Sequence, residues 1–259
     1  MTTDTLDKHG FDAQSEDFAV AKASSGAPLN WIRHGVNDFR RTPGLSLAYG
    51  FAFAVAFAAV AFLAASAPWY TLAYFAALLA IGPFLASGVY AAGRELNRGG
   101  QPTLRKSVDA LRHQKLNLAL FSLLMVLGMA AWIRFSALML ALKVNMLSLS
   151  SEVFLSAFAS PGGWVAISFA VGAGLLLAAA IFMASAVAIP LILDRGVDFV
   201  TAVRTSFQVV ARNRGVMALW ALSIVVLTAV GVATAFVGFL VIFPVLGFAT
   251  WHSYRALLG

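Results

Sequence analysis

"LSLAYGFAFAVAFAAVAFLAASAPWYTLAYFAALLAIGPFLASGVYAAG", from Leu45 to Gly93, contains no Asp, Glu, Lys or Arg. A bilayer's hydrocarbon core is about 30 Å thick and takes about 20 helical residues to cross. The run is long enough for two crossings, and "SAPWY" at 66–70 is a natural place to turn. A second uncharged run, Val216–Tyr254, is long enough for two more. The whole chain agrees: of 259 residues, 61% are hydrophobic and 11% charged. A soluble domain is nearer half apolar and a quarter charged. A transmembrane barrel would instead alternate in short segments. The expectation is an all-α, polytopic helical membrane protein.

Working outward from these runs gives six spans, at about 44–65, 69–92, 117–135, 163–191, 215–235 and 238–256. Length alone divides the last two, because a single helix over that run would be about twice the membrane thickness. Of the 18 lysines and arginines, only Arg134 and Lys143 fall at or beyond the outer end of the third span if both termini lie inside. The positive-inside rule therefore predicts cytoplasmic termini. Residues 1–28 begin polar and acidic and lack a basic, apolar leader, so they read as a disordered cytoplasmic tail ahead of one membrane domain, 29–259. A net charge of +7 suits juxtamembrane anchoring to an anionic inner leaflet rather than nucleic acid. The absence of cysteine removes disulfides and thiolate metal sites.

The chain repeats itself. "IGPFLASGVYAAGR" (81–94) is echoed by "IFPVLGFATWHSYR" (242–255), which matches Pro83 with Pro244 and Arg94 with Arg255. "RTPGLSLAY" (41–49) aligns with "RNRGVMALW" (212–220), and Ser107–Phe121 aligns more weakly with Ser206–Trp220. Before spans 1, 3 and 5, apolar residues recur at helical spacing: Leu29, Ile32, Val36, Phe39; Leu104, Val108, Leu111; Val200, Val203, Phe207, Val210. These predict short amphipathic helices along the inner surface, with Thr103 and Asp198 as N-caps. The unit is a surface helix, an up-going span and a down-going span with a proline (Pro83, Pro190 or Pro244), giving three hairpins. Proline frees a backbone carbonyl, which in a membrane needs a neighbour. Small residues such as Gly50 and Gly174 predict close helix packing.

"GVNDFRRTPGLSLAYG", "IGPFLASGVYAAGRELNRGGQPTL", "PLILDRGVDFVTAVRTSFQVVARNRGVMALW" and "FPVLGFATWHSYR" resemble, in that order, a bacterial family of predicted integral membrane proteins, domain-of-unknown-function family 2189. The resemblance covers about residues 29–258. It implies a Gram-negative inner-membrane protein and no established activity. Some members of that family carry a cytochrome c oxidase label. A haem-copper catalytic subunit needs about six membrane-embedded histidines. This chain has four histidines, of which only His252 approaches a span, so ligand count excludes that role.

The polar residues read first as structural. Arg134 sits beside Trp132 at interface depth, where arginine snorkels. Asp194, Arg195 and Asp198 follow Pro190 as a charged stop and a cap; the functional alternative is a hinge or coupling-ion site. Asp38 with Arg40 and Arg41 is similar, and Arg94 and Arg255 are expected to anchor to lipid phosphate or cap a helix C-terminus. Ser150 or Ser151 is expected to cap a short outer helix. No nucleotide loop, nucleophile elbow or zinc pattern is present, so no catalytic residue, metal or cofactor is predicted. The leading expectation is a non-enzymatic structural, assembly or interaction component that contacts lipid and a membrane partner. A small transporter or channel is the alternative.

Overall fold

A computed structural model describes residues 18–66, 71–144 and 161–259. Among these are ten helices: α1 Ala27–Arg41, α2 Pro43–Ser66, α3 Thr71–Asn97, α4 Leu104–His113, α5 Lys115–Val144, α6 Pro161–Ser185, α7 Ala188–Arg195, α8 Phe199–Arg212, α9 Arg214–Ala233 and α10 Phe239–Leu258. No strand occurs among the described residues. By length and composition, four stretches can cross a membrane: Pro43–Ser66, Lys115–Met139, Pro161–Arg195 and Arg214–Ala233. The expected outer helix at Ser150 or Ser151 lies outside the described residues.

The short helices form where expected, and their caps are the predicted ones. Thr103 accepts Lys106 N–H at 3.3 Å, and Asp198 accepts Val200 N–H and Thr201 N–H at 2.8 and 3.0 Å. α1 packs on α10, α4 on α3, and α8 on both α6 and α7. The apolar stripes are divided: Val210 is buried, and Ile32, Leu111 and Val203 pack half-buried against the core. α1 buries Trp31, Gly35 and Asp38, α4 buries Ser107, and α8 buries Ala202, Thr205, Ser206 and Val209. Leu29, Leu104, Val108, Val200 and Phe207 remain exposed, Val200 at 71%. Small and polar residues let these helices press onto backbone. Ser107 donates to Gly88 O at 3.0 Å, and Ser206 Oγ accepts Val187 N–H at 3.3 Å. A Cβ on Gly35 would meet Val245 O at 2.5 Å.

The three prolines act differently. Pro83 lies within α3, where the Ser122 hydroxyl of α5 donates to Ala80 O at 2.6 Å. Pro244 lies within α10 and cannot donate to Leu240 O, four residues before it. That carbonyl faces Gly50 of α2, where an added Cβ would sit 2.2 Å away. At Pro190 the helix breaks outright: α6 ends at Ser185 and α7 starts at Ala188. The one continuous helix expected over 163–191 is therefore two. The break is lined by apolar residues, with Val187 and Ala188 fully buried. The turn between α9 and α10 falls where length demanded it, with Ala235 and Phe236 both left-handed at φ 50° and 70°.

The chain is ordered earlier than its composition suggests. Residues 18–26 precede α1 as extended chain and turn. Ala21 N–H donates to Leu257 O at 2.9 Å, and Asn213 brackets the segment by accepting Ala23 N–H and donating to Ala21 O, each at 3.0 Å. The expected disordered tail reaches residue 28 on composition alone. These hydrogen bonds to residues 190 or more positions away leave no sequence signal.

Candidate functional site

The polar residues gather at one end of the bundle. There α3, α7 and α10 finish side by side, each with an arginine near its C-terminus: Arg94, Arg195 and Arg255. A helix C-terminus carries partial negative charge and unsatisfied carbonyls, so a guanidinium is a fitting neighbour. Two of the arginines reach across to the next helix rather than capping their own. Arg94 donates to Leu193 O at the end of α7, and Arg195 donates to Leu258 O at the end of α10. Arg195 also lies over the Phe18 ring, 4.9 Å from its centroid. Arg255 turns to Asp194, at 3.8 Å.

Asp194 is the centre of this cluster. It accepts the Tyr254 hydroxyl at 2.8 Å and stands 3.6 Å from Arg98. The matched arginines Arg94 and Arg255 thus meet at the end of α7, Arg94 on the Leu193 carbonyl and Arg255 beside the Asp194 carboxylate. Close packing makes room beneath them: Gly93 lies against the Trp251 ring, which a Cβ would approach to 2.9 Å. The Trp251 indole N–H is buried without a hydrogen-bond partner among the described residues.

A second cluster joins α1 to α10. Asp38, 4% exposed, lies 2.7 Å from His252 Nε2 and 3.8 Å from Arg41. His34 packs beside His252 with ring centroids 5.0 Å apart. Sequence spacing gave no hint of this pair, whose members are 214 residues apart. Between α3 and α4, Lys106 donates to Glu95 at 2.5 Å, and this hydrogen bond holds the half-buried Glu95 carboxyl below its ordinary range.

The other singled-out residues stand apart. Arg134 is exposed on α5, toward the far end from the arginines, while Trp132 donates to Ala170 O of α6 at 2.9 Å and covers Gly174. Pro83, Pro190 and Pro244 serve the helix geometry described above. Chemically, the arrangement joins helix ends through carbonyls and carboxylates. Asp38 and His252 could exchange a proton, but both are held inside the α1–α10 contact.

Ten helices, several of them long and apolar enough to span a bilayer, define an integral membrane protein. Residues 69–194 match the model of a family described as "Predicted integral membrane protein (DUF2189)", whose function is unknown. The match runs from the second expected span to Asp194 and so carries the family resemblance over that stretch. No curated protein and no solved structure matches.

Proposed function

We propose that this is a non-enzymatic structural or assembly component of the bacterial cytoplasmic membrane. It spans the bilayer six times as three like-oriented hairpins, with both termini in the cytoplasm, and its three short helices lie in the inner leaflet. One observation supports the reading: Leu29 on α1, Leu104 and Val108 on α4, and Val200 and Phe207 on α8 stay exposed beside Arg33, Arg105 and Arg204. A helix that turns its apolar stripe outward next to cationic residues suits an anionic lipid surface. The cyclic packing supports a threefold internal repeat, since each short helix rests on the down-going helix of the neighbouring unit.

Because the chain has no cysteine, single-cysteine labelling tests this cleanly. Gly259→Cys and Ser25→Cys should react with a membrane-impermeant maleimide only after the cytoplasmic face is opened. Labelling of either in intact spheroplasts would overturn the topology. Affinity purification in mild detergent should recover enriched anionic lipid or a stoichiometric membrane partner, and recovery of neither would sink the assembly role. The alternative, a small transporter or channel, draws on the broken α6–α7 helix, since discontinuous helices often frame substrate sites. Substrate-dependent uptake into proteoliposomes, lost on Ser206→Ala behind the break, would favour it.

A further inference from the structure

Arginine and carboxylate do not balance at the charged end. Arg94, Arg98, Arg195 and Arg255 gather at the end of α7, where Arg98 and Arg255 share one carboxylate, Asp194, and one of its oxygens already accepts the Tyr254 hydroxyl. Arg98 and Arg255 stand at 3.6 and 3.8 Å, beyond the usual N–H···O length of about 2.7–3.2 Å. The nearby acids are taken: Glu95 by Lys106, and Asp109 by Arg112 at 3.5 Å. Arg94, partly buried, has Leu193 O as its hydrogen-bond acceptor and no carboxylate in ion-pair reach among the described residues. Asp194 and Glu95 act on Arg94 from beyond ion-pair distance, so its partly buried charge is offset only indirectly.

Arg94 also borders a hollow of about 270 Å³ between α3 and α4, with Lys106, His113 and the two paired carboxylates Glu95 and Asp109 on its wall and Ser107 behind. That is several times the roughly 30 Å³ share of one water molecule. The helix that supplies Lys106 also leaves Leu104 and Val108 exposed, at 48% and 43%. An amphiphile could therefore lay its chains on Leu104 and Val108 while its anionic group enters the hollow. We propose that this hollow binds the phosphate of an anionic phospholipid, with Arg94 and Lys106 as its ligands and Arg98, just past the end of α3, adding charge. The inference rests on the membrane-surface reading of α4 above.

Native mass spectrometry of the full chain, with phosphatidylglycerol or phosphatidylcholine added, tests it. Phosphatidylglycerol should be retained over phosphatidylcholine. Lys106→Gln and Arg98→Gln, both at exposed side chains, should each weaken retention about fivefold, the usual worth of one basic residue at an anionic surface. Glu95→Gln should strengthen retention, because it frees Lys106 from its competing carboxylate; a merely structural pair would not give that opposite sign. Arg212→Gln, on α8, should leave retention unchanged. Equal losses at Arg98, Lys106 and Arg212 would overturn the site in favour of diffuse attraction, as would no loss at Arg98 and Lys106. Inorganic phosphate bound by lipid-stripped protein and displacing phosphatidylglycerol at millimolar concentration would overturn the lipid assignment in favour of a free-anion site. Maleimide labelling decides the topology independently, so failure of this site and failure of that reading give different results.

Discussion

The two ends of the bundle are built by different rules. At the arginine-bearing end, Leu118, Phe121, Met217, Trp220, Trp251 and Tyr254 are at most 1% exposed. Toward the far end, Phe62 on α2, Leu142 on α5 and Val237 in the α9–α10 turn are 63–72% exposed. The contrast teaches where the fold's specificity lies. Lipid tails are as apolar as leucine, so burying the far end against protein gains little. The other end must settle helix termini, broken backbone and charge. It does so with packed aromatics such as Trp31 edge-on to Trp220 at 5.6 Å and with carbonyls matched to hydroxyls and guanidiniums.

The sharpest way to break this comparison is a paired truncation. Trp220→Ala should destabilise the protein by about 3–5 kcal/mol, as large aromatics in packed cores do. Phe62→Ala should stay within about 0.5 kcal/mol. Unfolding in detergent, followed by circular dichroism, reads both, and equal effects would erase the distinction between the ends.

Next in size are the glycines. Gly50→Ala drives a methyl to 2.2 Å from Leu240 O and should cost about 1–3 kcal/mol. Gly172 has nothing within 4 Å of the equivalent point, so Gly172→Ala should stabilise slightly through helix propensity, by up to about 1 kcal/mol. Opposite signs in the two melts are the expected result.

Removing the buried partner of His252 comes third: Asp38→Ala should cost about 1–3 kcal/mol. It should also loosen α1 from α10, seen as faster amide exchange across Trp31–Phe39.

The smallest effect is the α8 cap. Asp198→Ala should cost about 0.5–2 kcal/mol. The Asp198 carboxyl sits below its ordinary value, first because the Thr201 hydroxyl bonds it and then because the Thr201 backbone N–H does. A depressed folded value stabilises above the unfolded value and is lost as pH falls through the folded one. Exchange protection at Val200 and Thr201 should therefore be full at neutral pH and decline only below the ordinary aspartate range, and Asp198→Asn should flatten that profile.

Much of this architecture was legible from local pattern. Uncharged runs marked the long helices, and Thr103 and Asp198 announced their caps. What was not legible is relational. Periodicity located the stripe Leu29, Ile32, Val36 and Phe39 but not whether lipid or protein covers it, because both media favour apolar groups. Proline warned of disturbance at all three sites, yet only at Pro190 does the helix break, where Ser206 receives the Val187 N–H. Asp38–His252 and Asn213–Ala21 join positions too distant for any spacing rule.

The α1–α10 contact has a consequence for biogenesis. The first helix described here finds its main partner in the last, and residues 21–23 close on Asn213 and Leu257. While the ribosome is still translating the middle of the chain, α1 has nothing to close against, and its Gly35–Asp38 face stays open. A chain stalled before Phe239 would therefore hold Asp38 with Arg41 but without His252, and the ring would stay unclosed.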